Sequence, residues 1–284
     1  AVRSDVVRLY AWCRLCDDVI DGQSAGHDAT ISAGDDLSAS LARLRERTAA
    51  ALAGTRTGEA EFDGFGEIAL RHGITARLAE DHLDGFAEDV AGAHYATLDD
   101  LVRYCYGVAG SVGVMMALIL GVAGEDADTL DRACDLGLAF QMTNIARDVV
   151  ADARAGRVYL PTDWLAEAGV PATPAAVADP RNATAVFGVT RRLVEAAEPY
   201  YHSAEAGIAR LPYRAAWAIL AASRIYREIG MRRVAAGPAG LAERAATTRA
   251  EKVAMLASSA IAAAGRRQRG SYDREGLWMR PPRP

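Results

Sequence analysis

The sequence predicts an all-α protein, and three observations carry that reading. Apolar residues recur at spacings of three and four through nearly every long segment, which is the period of one helical face. The alternation of a half-buried strand is not sustained anywhere. The breaks between periodic segments fall at Gly and Pro, as at Gly156 and Gly237-Pro238, residues that interrupt helices.

Taken in order, Leu9, Trp12, Cys13, Cys16, Val19 and Ile20 give the first helix one apolar stripe, and Asp21-Gly22 stops it, since glycine favours the helix-ending conformation. Gly22 to Asp36 reads as a loop. Leu37 to Leu52 is a surface helix with Arg43, Arg45, Glu46 and Arg47 on its wet side, and Gly54 to Gly66 reads as a connection. Ile74 to Val90 is amphipathic and acidic. Thr97 caps the next helix, with Asp99 and Asp100 in its first turn opposing the dipole.

That helix contains Tyr104 to Gly124, a stretch of 21 residues without a charge. The length reaches that of a membrane span, but five glycines, Ser111 and two tyrosines favour a buried central helix. A second long helix is expected over Asp126 to Asp152. Pro161, Pro171, Pro174 and Pro180 then mark a loop-rich crossing with short helical turns. Three more helices follow, at Asn182 to Arg210, Tyr213 to Ala236 and Thr247 to Arg266. No repeat or linker divides the chain, so residues 1–284 are expected to form a single domain.

Composition narrows the function. Of 284 residues, 51% are hydrophobic and the net charge is −5, so a large core is available and no basic face of the kind nucleic acid requires is evident. The four cysteines are too scattered for a disulfide framework, which points to a reducing, cytoplasmic setting. Cys13 and Cys16 form a C-x-x-C inside a helical apolar pattern with no second pair, so packing is favoured over zinc. The histidines never reach a metal-ligand spacing.

Two acidic patterns remain. Asp17, Asp18 and Asp21 put three carboxylates into five residues, with Asp17 and Asp21 on one helical face, where like charges repel unless a cation lies between them. Asn144, Asp148 and Asp152 share a face of the second long helix among Phe140, Met142, Ile145 and Val149, and buried carboxylates require counter-charge. Oxygen ligands without His or Cys suit Mg²⁺, or Mn²⁺, rather than zinc or copper. Mg²⁺ is usually held by one or two carboxylates together with substrate phosphates, so a diphosphate substrate is expected. Arg14, one turn before Asp17, and Arg147, beside Asp148, fit a site that grips phosphate oxygens. Asp18, one position off the Asp17–Asp21 face, is left without a role.

Tyr10-Ala11-Trp12-Cys13-Arg14-Leu15-Cys16-Asp17-Asp18-Val19-Ile20-Asp21, Tyr104-Cys105-Tyr106-Gly107-Val108-Ala109-Gly110-Ser111-Val112-Gly113 and Gln141-Met142-Thr143-Asn144-Ile145-Ala146-Arg147-Asp148-Val149-Val150-Ala151-Asp152 resemble the squalene and phytoene synthase family. The wording around Asp17 and the Gly156-Arg157-Val158-Tyr159-Leu160-Pro161 segment look most like its bacterial phytoene synthases. The resemblance implies an all-α isoprenoid synthase fold with helices around a deep apolar cavity. It implies that Asp17, Asp21, Asn144, Asp148 and Asp152 hold Mg²⁺ bridging two prenyl diphosphates and that Arg14 and Arg147 contact diphosphate. Tyr10, Tyr104, Gln141 and Tyr226 would then lie near the reacting carbons, and Val108, Ala109, Gly110 and Val112 along the substrate chains, with Gly107, Ser111 and Gly113 letting them pass close to the backbone. Tyr104 and Tyr106 are candidate cation-facing rings.

The implied reaction is head-to-head condensation of two geranylgeranyl diphosphates to phytoene, a prenyltransferase step of carotenoid biosynthesis. The C30 alternative uses farnesyl diphosphate and gives dehydrosqualene or squalene. The C40 reaction needs no reductant, so NADPH is not expected. Substitution of Asp17 or Asp148 by Ala is expected to abolish turnover with little loss of folding. The family also carries an upstream helix with a Ser-Phe-type segment, and the sequence is expected to lack it. Contact with a membrane surface is expected from an amphiphilic substrate and an oily product, while Arg266, Arg267 and Arg269 read as a solvated helix end. Thr247-Thr248-Arg249-Ala250-Glu251-Lys252 departs from the family's basic pattern, so no substrate contact is assigned there. No pattern sets an oligomeric state.

Overall fold

Trp12 shows how the first helices assemble. It is fully buried, stacks on Phe65 with ring centroids 3.9 Å apart, and donates its indole N–H to Thr48 Oγ1 at 3.2 Å. One side chain thereby joins α1 (Val2–Ile20), α2 (Leu37–Leu52) and α3 (Ala60–His72). The computed structural model describes residues 2–20, 37–242, 246–265 and 272–281. Among these there are helices and turns but no strand. The Asp21-Gly22 stop, the loop to Asp36 and the arginines at 266, 267 and 269 lie outside them.

The structure replaces the expected connection over Gly54 to Gly66 by α3. Glycines at 64 and 66 masked its helical period, yet Phe62, Phe65, Ile68 and Ala69 all face the core. Gly66 serves a close approach, since a Cβ there would lie 2.9 Å from the Ala51 carbonyl carbon. The next helix, α4 (Ala76–Val90), is capped by Thr75, and α5 (Leu98–Cys105) opens with a reciprocal capping box between Thr97 and Asp100.

The uncharged stretch does not continue as one α-helix. After α5 it widens into a π turn over Tyr106–Gly110 and resumes as α6 (Ser111–Ile119). The turn passes at close range between α4 and α7 (Ala127–Arg154). A Cβ on Gly107 would lie 2.9 Å from Gly85 Cα, and one on Gly110 would lie 2.9 Å from Cys134 Sγ. Ser111 donates to the Gly107 carbonyl at 2.7 Å, which satisfies an acceptor where the ladder changes register. Leu98–Ile119 is long and apolar enough to cross a membrane, but 67% of its most apolar window is buried in the protein.

Helix α7 packs against α6, α10 (Ala183–Ile208), α11 (Tyr213–Ala236) and the π turn. Its N-terminus is capped by Asp126, as the expected boundary requires. Between α7 and α10 lie two short α-helices, α8 (Thr162–Glu167) and α9 (Pro174–Ala178), and a 3₁₀ turn at Pro180–Asn182, matching the proline-rich crossing. A short 3₁₀ turn at Pro238–Ala242 leads on toward α12 (Arg249–Ala264), whose N-terminus Thr248 and Glu251 cap reciprocally. The segment 272–281 is pinned to α7 by Arg274, which donates to both Asp135 oxygens at 2.7 and 2.8 Å. All four cysteines are free thiols, and burial with the nearby Asp17 charge pushes Cys13 up to about 12.

Candidate functional site

The helices enclose a cavity of about 930 Å³ lined from α1, α4, α5, the π turn, α6, α7, α10 and α11. That volume lies at the upper end of small-molecule sites, which suits long substrates. Phe86, Val112, Met116, Leu136, Phe140 and Ile219 supply much of its apolar wall. Its open side carries Tyr10, which is 66% exposed, together with Arg14 and Asp17.

At the end of α1 one guanidinium serves two carboxylates. Arg14 Nη1 meets Asp17 Oδ2 at 3.0 Å and Nη2 meets Asp18 Oδ1 at 2.6 Å. Asp17 lines the cavity and Asp18 does not, so the helical step of one residue divides them as their spacing requires. Asp21 lies outside the described residues.

Facing the same cavity, α7 contributes Gln141, Asn144, Arg147, Asp148 and Asp152. Asp148 accepts from Arg147 Nε at 3.0 Å on both oxygens and from Nη2 at 2.5 Å. Burial opposes the Arg147 charge, but the hydrogen bond and charge of Asp148 outweigh it and hold the guanidinium above its ordinary pKa. Asn144 donates through Nδ2 to Gln141 Oε1 at 3.4 Å, while its buried Oδ1 has no hydrogen-bond partner among the described residues. An unsatisfied buried acceptor is costly. On a face shared with two carboxylates it has the donor chemistry a hard cation takes, so Asn144, Asp148 and Asp152 fit Mg²⁺. Among the described residues no three His, Cys, Asp or Glu side chains cluster closely enough to enclose a metal alone, and Mg²⁺ normally completes its shell with water and substrate oxygens.

The remaining expected residues separate. Tyr104, Tyr226, Val108, Ala109 and Val112 line the cavity, and Tyr226 stacks on Phe140 with centroids 4.1 Å apart. Gly110 does not line it; its Cα faces Cys134 and Leu138, so its smallness serves helix packing. Gly107 and Ser111 are likewise absent from the lining, and a Cβ on Gly113, which does line it, would meet the Ala133 carbonyl. Tyr106 turns the other way, onto Trp278 and the buried Asp81, which accepts from its hydroxyl at 2.5 Å.

Asp89, Arg157 and Tyr159 also line the cavity, and no role was read for them in sequence. Asp89 accepts from Tyr104 at 3.0 Å and from Tyr159 at 2.8 Å. Burial, reinforced by the Asp89 charge, pushes both phenols above their ordinary range, so they remain protonated donors. The signal for Asp89 was weak, one of two adjacent acids, Glu88 and Asp89, near the end of an already acidic helix.

Comparison with known proteins agrees with this geometry. The family model described as squalene/phytoene synthase matches residues 1–251. A phytoene synthase of Pseudescherichia vulneris is 50% identical over 99% of this chain and 90% of its own length. A 15-cis-phytoene synthase of Enterobacter agglomerans is 51% identical over 98% and 93%. A solved dehydrosqualene synthase superposes with a TM-score of 0.75 at 24% identity, covering 92% of this chain and 87% of that one, which establishes the isoprenoid synthase fold. By sequence, by fold and by the cavity between α1 and α7, the chain belongs to the squalene/phytoene synthase family.

Proposed function

We propose that this chain is a phytoene synthase, joining two geranylgeranyl diphosphates head to head within one domain spanning residues 1–284. The observation that carries the reading is one large apolar cavity with acidic turns of α1 and α7 on its lining, in a chain about half identical to full-length relatives named for that activity. Asp17, Asp21, Asn144, Asp148 and Asp152 would hold Mg²⁺, and Mn²⁺ has the same donor preference. Bound there, the metal supplies Lewis acidity that neutralises charge on a departing diphosphate and orients its oxygens.

The chain's own groups do the rest. Arg14 and Arg147 meet diphosphate oxygens through charge-assisted hydrogen bonds. The first allylic diphosphate ionises, and the resulting cation is attacked by the double bond of the second molecule. Loss of a proton closes a cyclopropylcarbinyl diphosphate. Its diphosphate then leaves, and rearrangement with loss of a second proton gives a conjugated triene without a reductant. Tyr10, Tyr104, Gln141 and Tyr226 flank the reacting carbons, and aromatic faces attract cations. Val108, Ala109 and Val112 guide the chains, while the apolar wall keeps water from quenching the cations.

The test is product analysis with Mg²⁺ and either C20 or C15 diphosphate, with and without NADPH. Phytoene from the C20 substrate, unchanged by NADPH, is the expected result. Turnover of the C15 substrate alone would overturn the reading.

A further inference from the structure

We propose that the outer face of the α11–α12 hairpin docks the protein on an anionic lipid bilayer surface. The inference does not depend on the reaction assigned above. It starts from α12, which carries no charge from Val253 to Gly265. A helix apolar on all sides belongs in a core. Yet α12 packs along one side only, on α11, with Ser259 and Ala263 as its buried residues. Away from that seam it presents Val253 at 65% exposure and Ile261 at 78%, while Leu256, on the seam side with Ser259, is 41% exposed. Along the seam with α11, Trp217 and Tyr213 remain partly exposed while bonding to the Leu256 and Ala260 carbonyls. Such rings prefer the boundary between hydrocarbon and water.

Charge selects the occupant. The described residues between 213 and 265 hold seven Arg and Lys against two acids, a net +5, so the rest of this −5 chain carries −10. Two of the basic residues stand on α12 itself, at the start of its apolar stretch. Arg249 stands one turn before Val253 and Lys252 one turn before Leu256. Among the described residues Arg214, Arg249 and Lys252 are exposed and have no ion-pair partner. Basic residues beside an apolar helix face match an anionic interface. A second copy applied through the same face would bring two such basic surfaces together, which an isologous contact cannot avoid.

The experiment is co-sedimentation of the intact chain with phosphatidylcholine vesicles and with vesicles that also contain phosphatidylglycerol. Binding is expected to the anionic vesicles, and to fall as salt is raised. The double variant Val253→Glu/Ile261→Glu is expected to partition about tenfold less, with an unchanged thermal melt and helical circular dichroism. The variant Arg249→Gln/Lys252→Gln keeps the apolar face and is expected to lose the preference for anionic vesicles. Equal pelleting with both vesicle types, or undiminished binding by the Glu variant, would overturn the proposal. So would a dimer in solution that the Glu variant splits and that does not bind vesicles.

Discussion

The acidic turn at the end of α1 and the acidic face of α7 share a four-residue spacing in sequence and have contrasting surroundings. Asp17 lies in the last described turn of its helix, where carbonyl ends make the potential negative and disfavour carboxylates. Its side chain is 46% exposed, and Arg14 divides its charge between Asp17 and Asp18. Asp148 lies well inside a 28-residue helix with its own guanidinium beside it, and both side chains are under 20% exposed. The α1 turn is thus held by solvent and a shared arginine, and the α7 face by packing. The difference teaches that equal spacing assigns equal chemistry without assigning equal structural cost.

The largest expected effect tests whether the chemistry is equal. Asp148→Asn and Asp17→Asn should each lower turnover by about two to three orders of magnitude, the scale of losing one group that stabilises developing charge. Steady-state assay with the C20 diphosphate and Mg²⁺ measures it. Wild-type turnover by Asp17→Asn would break the pairing of the two helices. Next in size is ligand linkage. Mg²⁺ together with inorganic diphosphate should raise the melting temperature of the wild type, since a ligand at a hundred times its dissociation constant stabilises by about 2.7 kcal/mol. Either Asn variant should abolish that shift, and a shift retained by both would place the binding elsewhere.

Structural cost is where the two regions should part. The sequence alone implies that Ala at either position leaves folding nearly intact. For Asp148 the ion pair changes that expectation, because Ala would strand the half-buried Arg147 charge at a cost of about 2 kcal/mol. For Asp17, water screens the exposed Arg14 pair, and the cost should stay below about 1 kcal/mol. Urea unfolding of the two Ala variants measures the contrast, and equal losses would erase it.

Helix periods made much of this legible. The ranges of α2 and α11 follow directly from apolar spacing and flanking residues, and Thr97 announced its cap. Glycine blurred the rest. Gly64 and Gly66 concealed α3, and the glycines around Tyr106 looked like room for substrate when Gly107 and Gly110 make room for neighbouring helices. A residue whose role is to be small carries no mark of what it is small for. The Asp89 site was hidden for a related reason. Its partners Tyr104 and Tyr159 lie 15 and 70 positions away, and only the fold joins them.

The smallest expected effect separates neighbours within the α1 turn. Asp18 shares Arg14 with Asp17 but lies off the cavity lining, with a side chain only 13% exposed. Asp18→Asn keeps the shape and an acceptor oxygen for Arg14, so stability should change by less than about 1 kcal/mol and turnover by no more than about threefold, a shift below 1 kcal/mol in the barrier. Releasing Arg14 from Asp18 should strengthen its hold on Asp17, which leaves the Asp17 geometry in place. Turnover assayed beside Asp17→Asn decides the matter. If Asp18→Asn were as damaging as Asp17→Asn, the acidic turn would act through its total charge, and the division of roles by helical face would fail.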